Sequence, residues 1–349
     1  MSPHFGVCFR RQFADELAAA GVSVHDLGAV RFSRPWTVLA ARRALLRVLR
    51  HQKIDAIMTH GAWPHAVFGP VARRTRIPVI CFVHDPPGAS LIWLERLASR
   101  CRPDRVICNS RYTASQAGRI FDGVATRTVY CPVDAPPVPV DDGRRRTREK
   151  HGAAPNDVVI VQVGRWEPHK GHLLLLSALA KLRDVPNWVC WQAGRPQRGH
   201  EQRYFDEVQE SARQLAIGDR FKFLGWVPNV HELYAAADVY CQPNASPEPF
   251  GITYIEAMYA GLPVIAVDEG GPAEIVTPAC GTLIPRGDVE ALRATLAEWI
   301  ADAARRRDLG KAGFARANAL SDPKQQIGRL YEAIAQQAQA GSTMDGVRV

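Results

Sequence analysis

The chain has 349 residues, 46% of them hydrophobic, and a formal net charge of +9. That is the composition of an ordinary globular protein, long enough for two α/β domains with full cores. No run of about 18 apolar residues occurs, so a membrane-spanning helix is not expected.

The basic surplus is confined to one half. Residues 1–150 hold 24 Lys and Arg against 12 Asp and Glu, whereas residues 151–349 hold 20 against 23. Such asymmetry points to an anionic partner for the first half. A lipid surface or lipid-phosphate acceptor fits better than nucleic acid, for which no binding motif is present. The opening residues lack a basic start followed by an apolar segment, so no signal peptide is expected. The eight cysteines are scattered, with no C-x-x-C pair, and several lie inside apolar runs. They read as small buried hydrophobes of a reducing compartment.

In chain order, Phe5-Gly-Val-Cys-Phe9 opens the sequence, a helical pattern covers 11–20, and a short strand follows at 22–25. Arg34-Pro-Trp36 leads into a helix carrying Arg42, Arg43, Arg47, Arg50 and Lys53, with Leu39, Leu45, Leu46 and Leu49 in the same segment. Arg43, Arg47 and Arg50 share a face at spacings of 4 and 3. The helix is either a plain surface helix or a dock for anionic lipid. Strand candidates follow at 56–59, 79–83, 105–108 and 128–130. His84 stands just past the carboxyl end of the second of these, where an imidazole can meet a sugar hydroxyl or serve structure alone. Ser110 is placed to cap the next helix. Four prolines between Pro132 and Gly143, followed by Arg144-Arg-Arg146, mark an interdomain linker.

The second half alternates strands at 158–163, 188–191, 221–224, 238–242, 264–267 and 282–284 with helical patterns, which implies parallel sheets. Gly164-Arg165-Trp-Glu-Pro-His-Lys170-Gly171 joins the first of these strands to a helix. Its cations therefore lie at the carboxyl end of a parallel strand, where open α/β sheets bind ligands. Arg grips phosphate in a bidentate way and Lys adds a compact charge. Otherwise both are solvated loop charges. Glu248-Pro-Phe-Gly-Ile-Thr-Tyr-Ile-Glu256 sets two carboxylates eight positions apart. Glu248 falls in the loop after a buried strand, Gly251 opens a helix, and Glu256 sits about a turn and a half inside it. A helix N-terminus suits an anion such as a diphosphate. The two carboxylates can hold sugar and ribose hydroxyls, or be unrelated.

Taken in order, Gly164-Arg165…Lys170-Gly171, Leu224-Gly225-Trp-Val-Pro228, Glu248…Glu256 and Gly270-Gly-Pro-Ala-Glu-Ile-Val276 resemble the nucleotide-binding half of retaining, family-four (group 1) glycosyltransferases. The resemblance covers roughly residues 155–320. It implies an α/β fold of two facing Rossmann-like domains (GT-B). It assigns diphosphate binding to Arg165 and Lys170, the transferred sugar to Glu248 and the ribose to Glu256. Gly164 and the Phe250-Gly251-Ile252 backbone line the donor, and His84 contacts the donor sugar. No Asp-x-Asp is present, so no metal or other cofactor is expected. The domain expectation is 1–133 for the acceptor side, 134–154 for a linker and 155–320 for nucleotide-sugar binding. A terminal helix at 321–340 is expected to cross back to the first domain, since 327, 330, 331 and 334 are apolar at helical spacing.

The first half departs from the family pattern. No Gly-rich loop precedes residue 60, and the opening resembles the family only after its first strand–loop–helix unit. The N-terminal domain is thus expected to be incomplete: either its sheet closes around the gap or the reading frame starts upstream of Met1. The function implied is transfer of a sugar from a nucleotide donor to an acceptor hydroxyl with retention, the acceptor being lipid-linked or a saccharide. The chain is then expected to be cytoplasmic, either free or peripheral on the inner face of the cytoplasmic membrane. A non-catalytic nucleotide-sugar binder or partner subunit, and a nucleotide-sugar epimerase, are the alternatives.

Overall fold

The computed structural model describes residues 2–9, 12–88, 90–136 and 142–345, with side chains to residue 339. The chain forms two compact units, Met1–Val129 with Ile327–Val349, and Tyr130–Gln326.

In the first unit, β1 (His4–Val7) and β2 (Ser23–Asp26) pair in parallel as a two-stranded ladder, with helix Gln12–Ala19 between them. A separate parallel sheet runs in the order β3 (Ile57–His60), β4 (Val79–Val83), β5 (Arg105–Cys108), β6 (Thr126–Thr128). No ladder joins the two sheets among the described residues. A doubly wound sheet is built outward from a central first strand. The strands of the first unit thus form two separate parallel ladders among the described residues.

All five residues of β4 are buried, because both faces of this sheet are covered. Cys81, Val83, Val106 and Cys108 face Ala98, Ala117 and Phe121. On the other face Ile80, Phe82, Ile107 and Val129 pack with Leu330, Ala333 and Ile334 of the long helix Pro323–Asp345. Burial pushes the Cys81 and Cys108 thiols up to about 12, which keeps them protonated.

The basic helix spans Pro35–His51. Arg42 is drawn inward, its Nε donating to Val67 O at 2.6 Å, while Arg43, Arg47 and Arg50 are exposed. Leu45 packs inward with Val48, whereas Trp36 and Leu39 are exposed. No helix among the described residues is long and apolar enough to cross a membrane.

The second unit begins with a difference from the sequence reading. Within the expected linker, Gly143–Lys150 is a helix. Arg144 and Arg148 both grip the Asp238 carboxylate, at 2.7 and 3.1 Å, so the basic run docks on the domain instead of repelling itself into a coil. Six strands follow: β7 (Val158–Val163), β8 (Trp188–Ala193), β9 (Phe221–Gly225), β10 (Val239–Gln242), β11 (Val264–Val267) and β12 (Gly281–Ile284). All are parallel, in the order β12-β11-β10-β7-β8-β9. From β7 the chain builds outward through β8 and β9. From β10 it builds the opposite way. β7 and β10 are neighbours, so the order reverses between them. A crevice opens at the carboxyl ends of the strands at such a reversal.

Candidate functional site

The loops after β7 and β10 meet at this switch point. After β7, Gly164 to Glu167 leads into a short 3-10 turn, Pro168–Lys170, and then helix His172–Ala180. Gly171 joins the two with φ +74°. A Cβ there would lie 1.8 Å from Pro243 O in the loop after β10, so only glycine lets the two loops close. The Ala245 N–H donates to His169 O at 2.8 Å, and Gln162 Nε2 donates to Lys170 O at 2.7 Å. These bonds fix the turn that carries Lys170.

Lys170 Nζ lies 2.6 Å from Glu248 Oε2, with side-chain exposures of 15% and 14%. Asn244 Nδ2 donates to the same oxygen at 2.8 Å. Glu248 is held from behind as well, by a parallel bridge to Gly270 and by the Gly271 N–H donating to Glu248 O at 2.8 Å. Arg165 is half exposed, with its guanidinium 2.7 Å from Glu167 Oε1.

Gly251 caps helix Ile252–Tyr259 at φ +98°. The helix start is anchored by Tyr240, whose hydroxyl donates to Thr253 Oγ1 at 2.7 Å, and by Tyr254, whose hydroxyl donates to Gln242 O at 2.9 Å. Phe250 is buried and stacks on Tyr130, while the Ile252 side chain is exposed. The first-turn N–H groups of a helix lack partners within it, and that end carries positive partial charge. Glu256 Oε2 accepts from the Tyr234 hydroxyl at 3.2 Å. Burial raises the Glu256 carboxyl above its ordinary range, with Tyr234 opposing the shift.

The structure therefore brings Gly164, Arg165, Lys170, Glu248, Phe250, Gly251, Ile252 and Glu256 onto the two loops and one helix that flank a single switch point. His84 belongs to the first unit. It follows β4 and shares a 3.0 Å hydrogen bond with His60 at the end of β3, and its ring stacks on Phe82. Burial lowers both imidazoles below the ordinary value. Asn109 Nδ2 donates to His84 O at 2.9 Å, and Ser110 caps its helix by accepting from the Thr113 N–H.

Sequence reasoning missed Asn244, Tyr234, Glu167 and His60. Asn244 had one available signal, a position four residues before Glu248 on the same loop. Tyr234 and His60 had none, because their partners are 22 and 24 positions away. Among the described residues one group of acidic and imidazole side chains has metal-ligating proximity: Glu167, His200 and Glu201.

The fold and the site define a protein of two Rossmann-like units with a topological switch point in the second. The sequence pattern of the glycosyl transferases group 1 matches residues 143–316, and that of Glycosyltransferase Family 4 matches residues 5–135. The chain belongs to the group 1, family-four glycosyltransferases. It is 31% identical over 299 residues to a GDP-mannose-dependent alpha-(1-6)-phosphatidylinositol monomannoside mannosyltransferase of Mycolicibacterium smegmatis, covering 80% of this chain and 75% of that protein. It is 28% identical over 244 residues to the lipopolysaccharide core biosynthesis mannosyltransferase LpsB of Rhizobium meliloti, covering 67% of this chain and 66% of that one. The fold matches that of Anabaena HepE, crystallised in complex with UDP and glucose, with a TM-score of 0.81 at 23% identity over 95% of this chain and 90% of HepE.

Proposed function

We propose that this chain moves a sugar from a nucleoside-diphosphate donor to an acceptor hydroxyl with retention of configuration. The observation that carries the reading is the juxtaposition of Lys170, Glu248 and the Gly251-capped helix start at the β7/β10 switch point. Arg165 and Lys170 bind the diphosphate. They stabilise the charge that develops as it departs, the largest electrostatic demand of the reaction. The Gly164 backbone and the Phe250-Gly251-Ile252 segment approach the phosphates and sugar, and the dipole of the helix favours the anion. Glu248, already oriented by Lys170 and Asn244, takes the hydroxyls of the transferred sugar. Glu256 takes the ribose, with Tyr234 setting its orientation. His84, held by His60, is a candidate sugar-binding imidazole of the first unit. The departing diphosphate oxygen receives the acceptor proton, and the diphosphate is held without a bridging metal.

The basic first unit suits a lipid-linked acceptor, or a saccharide carried on one, at an anionic leaflet on the cytoplasmic side. Arg43, Arg47 and Arg50 are exposed on the helix that also exposes Trp36 and Leu39.

Radiolabelled GDP-mannose and UDP-glucose head the donor panel, because of the named relatives and the HepE complex. A larger labelled product on a lipid or glycan acceptor supports transfer. A changed sugar nucleotide would establish epimerisation. Binding of the donor with neither product would leave a non-catalytic binder.

A further inference from the structure

Glu167, His200 and Glu201 meet where the loop after β7 faces the start of helix Gly199–Gln214. One ligand-type atom from each lies within 4.8 Å of the other two. Glu201 is fully buried. Its Oε2 accepts the Gln197 N–H at 2.6 Å, but Oε1 has no hydrogen-bond partner among the described residues. Glu167 repeats the pattern. Its Oε1 holds Arg165, while Oε2 is buried without a hydrogen bond and lies 3.5 Å from His169 Nδ1.

Two carboxylates thus converge, each with a buried oxygen that makes no hydrogen bond among the described residues, and the paired groups beside them are Arg165 and His169, both on Glu167. Burying unpaired anionic oxygens is costly. We propose that Glu167, His200 and Glu201 bind a first-row divalent cation. The donor set, two carboxylate oxygens and one imidazole nitrogen, suits Zn2+ or Mn2+ better than Mg2+ or Ca2+, which prefer all-oxygen shells. Ligands about 2.1 Å from such an ion lie about 3.4 Å apart in a tetrahedron, so a small closure of the three side chains completes the site. The remaining coordination positions go to water. The cation holds Glu167 from one side while Oε1 keeps Arg165 on the other. It therefore positions a diphosphate-loop arginine without touching the diphosphate. The site stands on its own side chains, whatever the donor proves to be.

The test is calorimetric titration of chelator-stripped full-length protein with Zn2+ alone, in a non-coordinating buffer at pH 7.5. One-to-one binding is expected. His200→Ala and Glu201→Gln each weaken it by about tenfold or more, while His51→Ala leaves it unchanged. Zn2+ raises the Tm of the wild type more than that of either variant, and circular dichroism checks that both are folded. Co2+ binds with a spectrum free of thiolate charge transfer, which separates this site from the buried cysteines. Absence of one-to-one binding, or equal affinity in His200→Ala and Glu201→Gln, overturns the proposal. So does a metal-free Glu201→Gln that is stabilised while the wild type binds no cation, since the carboxylates then share a proton.

Discussion

Lys170 Nζ and Glu248 Oε2 lie 2.6 Å apart across two loops that are 78 residues distant in sequence. Each neutralises the other in a mostly buried setting before any ligand arrives. Removing one partner strands the other, so Lys170→Met and Glu248→Gln each cost about 3 kcal/mol of stability, and the double variant costs less than their sum. Urea unfolding of the four proteins measures the coupling. Additive losses would show that the pair contributes nothing as a pair.

The same lysine is expected to grip phosphate. Lys170→Ala and Arg165→Ala should each weaken nucleoside-diphosphate binding by roughly 1.5–3 kcal/mol, the size of a lost charge-assisted contact. Calorimetry with the cognate diphosphate decides it, and unchanged affinity in both variants removes the diphosphate assignment.

Glu256 and Glu248 divide the donor between them. Glu256→Gln should chiefly weaken nucleoside binding. Tyr234→Phe should do so more mildly, because the hydroxyl at 3.2 Å only orients the carboxylate. Glu248→Gln should chiefly lower kcat. The roles are reversed if Glu248→Gln abolishes nucleoside affinity while Glu256→Gln leaves it intact.

His172, at the start of the helix after Gly171, stacks on Trp166 with ring centroids 4.5 Å apart. Burial, with Lys170 and His169 adding to it, lowers its pKa from 6.5 to about 3. Above pH 6.5 the imidazole is neutral in both folded and unfolded chains. As pH falls below that, only the unfolded chain takes up the proton. Stability is therefore lost as pH falls from 6.5 toward 3, at roughly 1.4 kcal/mol per pH unit from this residue. His172→Phe keeps the aromatic contact and should flatten the acid limb of an unfolding-versus-pH curve; an unchanged slope would show that His172 is not its source.

On the first unit, the exposed face of Arg43, Arg47 and Arg50 should bind anionic vesicles in a salt-sensitive way, with about 1 kcal/mol lost per arginine replaced by alanine. Co-sedimentation at low and high salt reads this. Equal binding to neutral and anionic vesicles would leave the helix as plain surface.

The split sheet has a dynamic consequence. A two-stranded ladder is marginal without further strands, so amides of β1 and β2 should exchange faster than those of β4 and β5. Native-state hydrogen exchange with peptide resolution would show this; equal protection would mean the two ladders open as one.

Much of the second unit was legible in the sequence because its signals are local. The apolar run 158–163 reads directly as β7, and the spacing from Glu248 to Glu256 sets a loop carboxylate and a helical one around Gly251. Tertiary structure decided the rest. The salt link of Lys170 to Glu248, the Tyr234 bond to Glu256 and the His60–His84 pair join residues whose separation in sequence carries no period. The basic run after the prolines read as a linker, because repulsion among Arg144, Arg145 and Arg146 is local, while the Asp238 carboxylate that docks the helix arrives 94 residues later. Residue order sets which side chains stand at strand ends; only the adjacency of β7 and β10 decides which of them face each other.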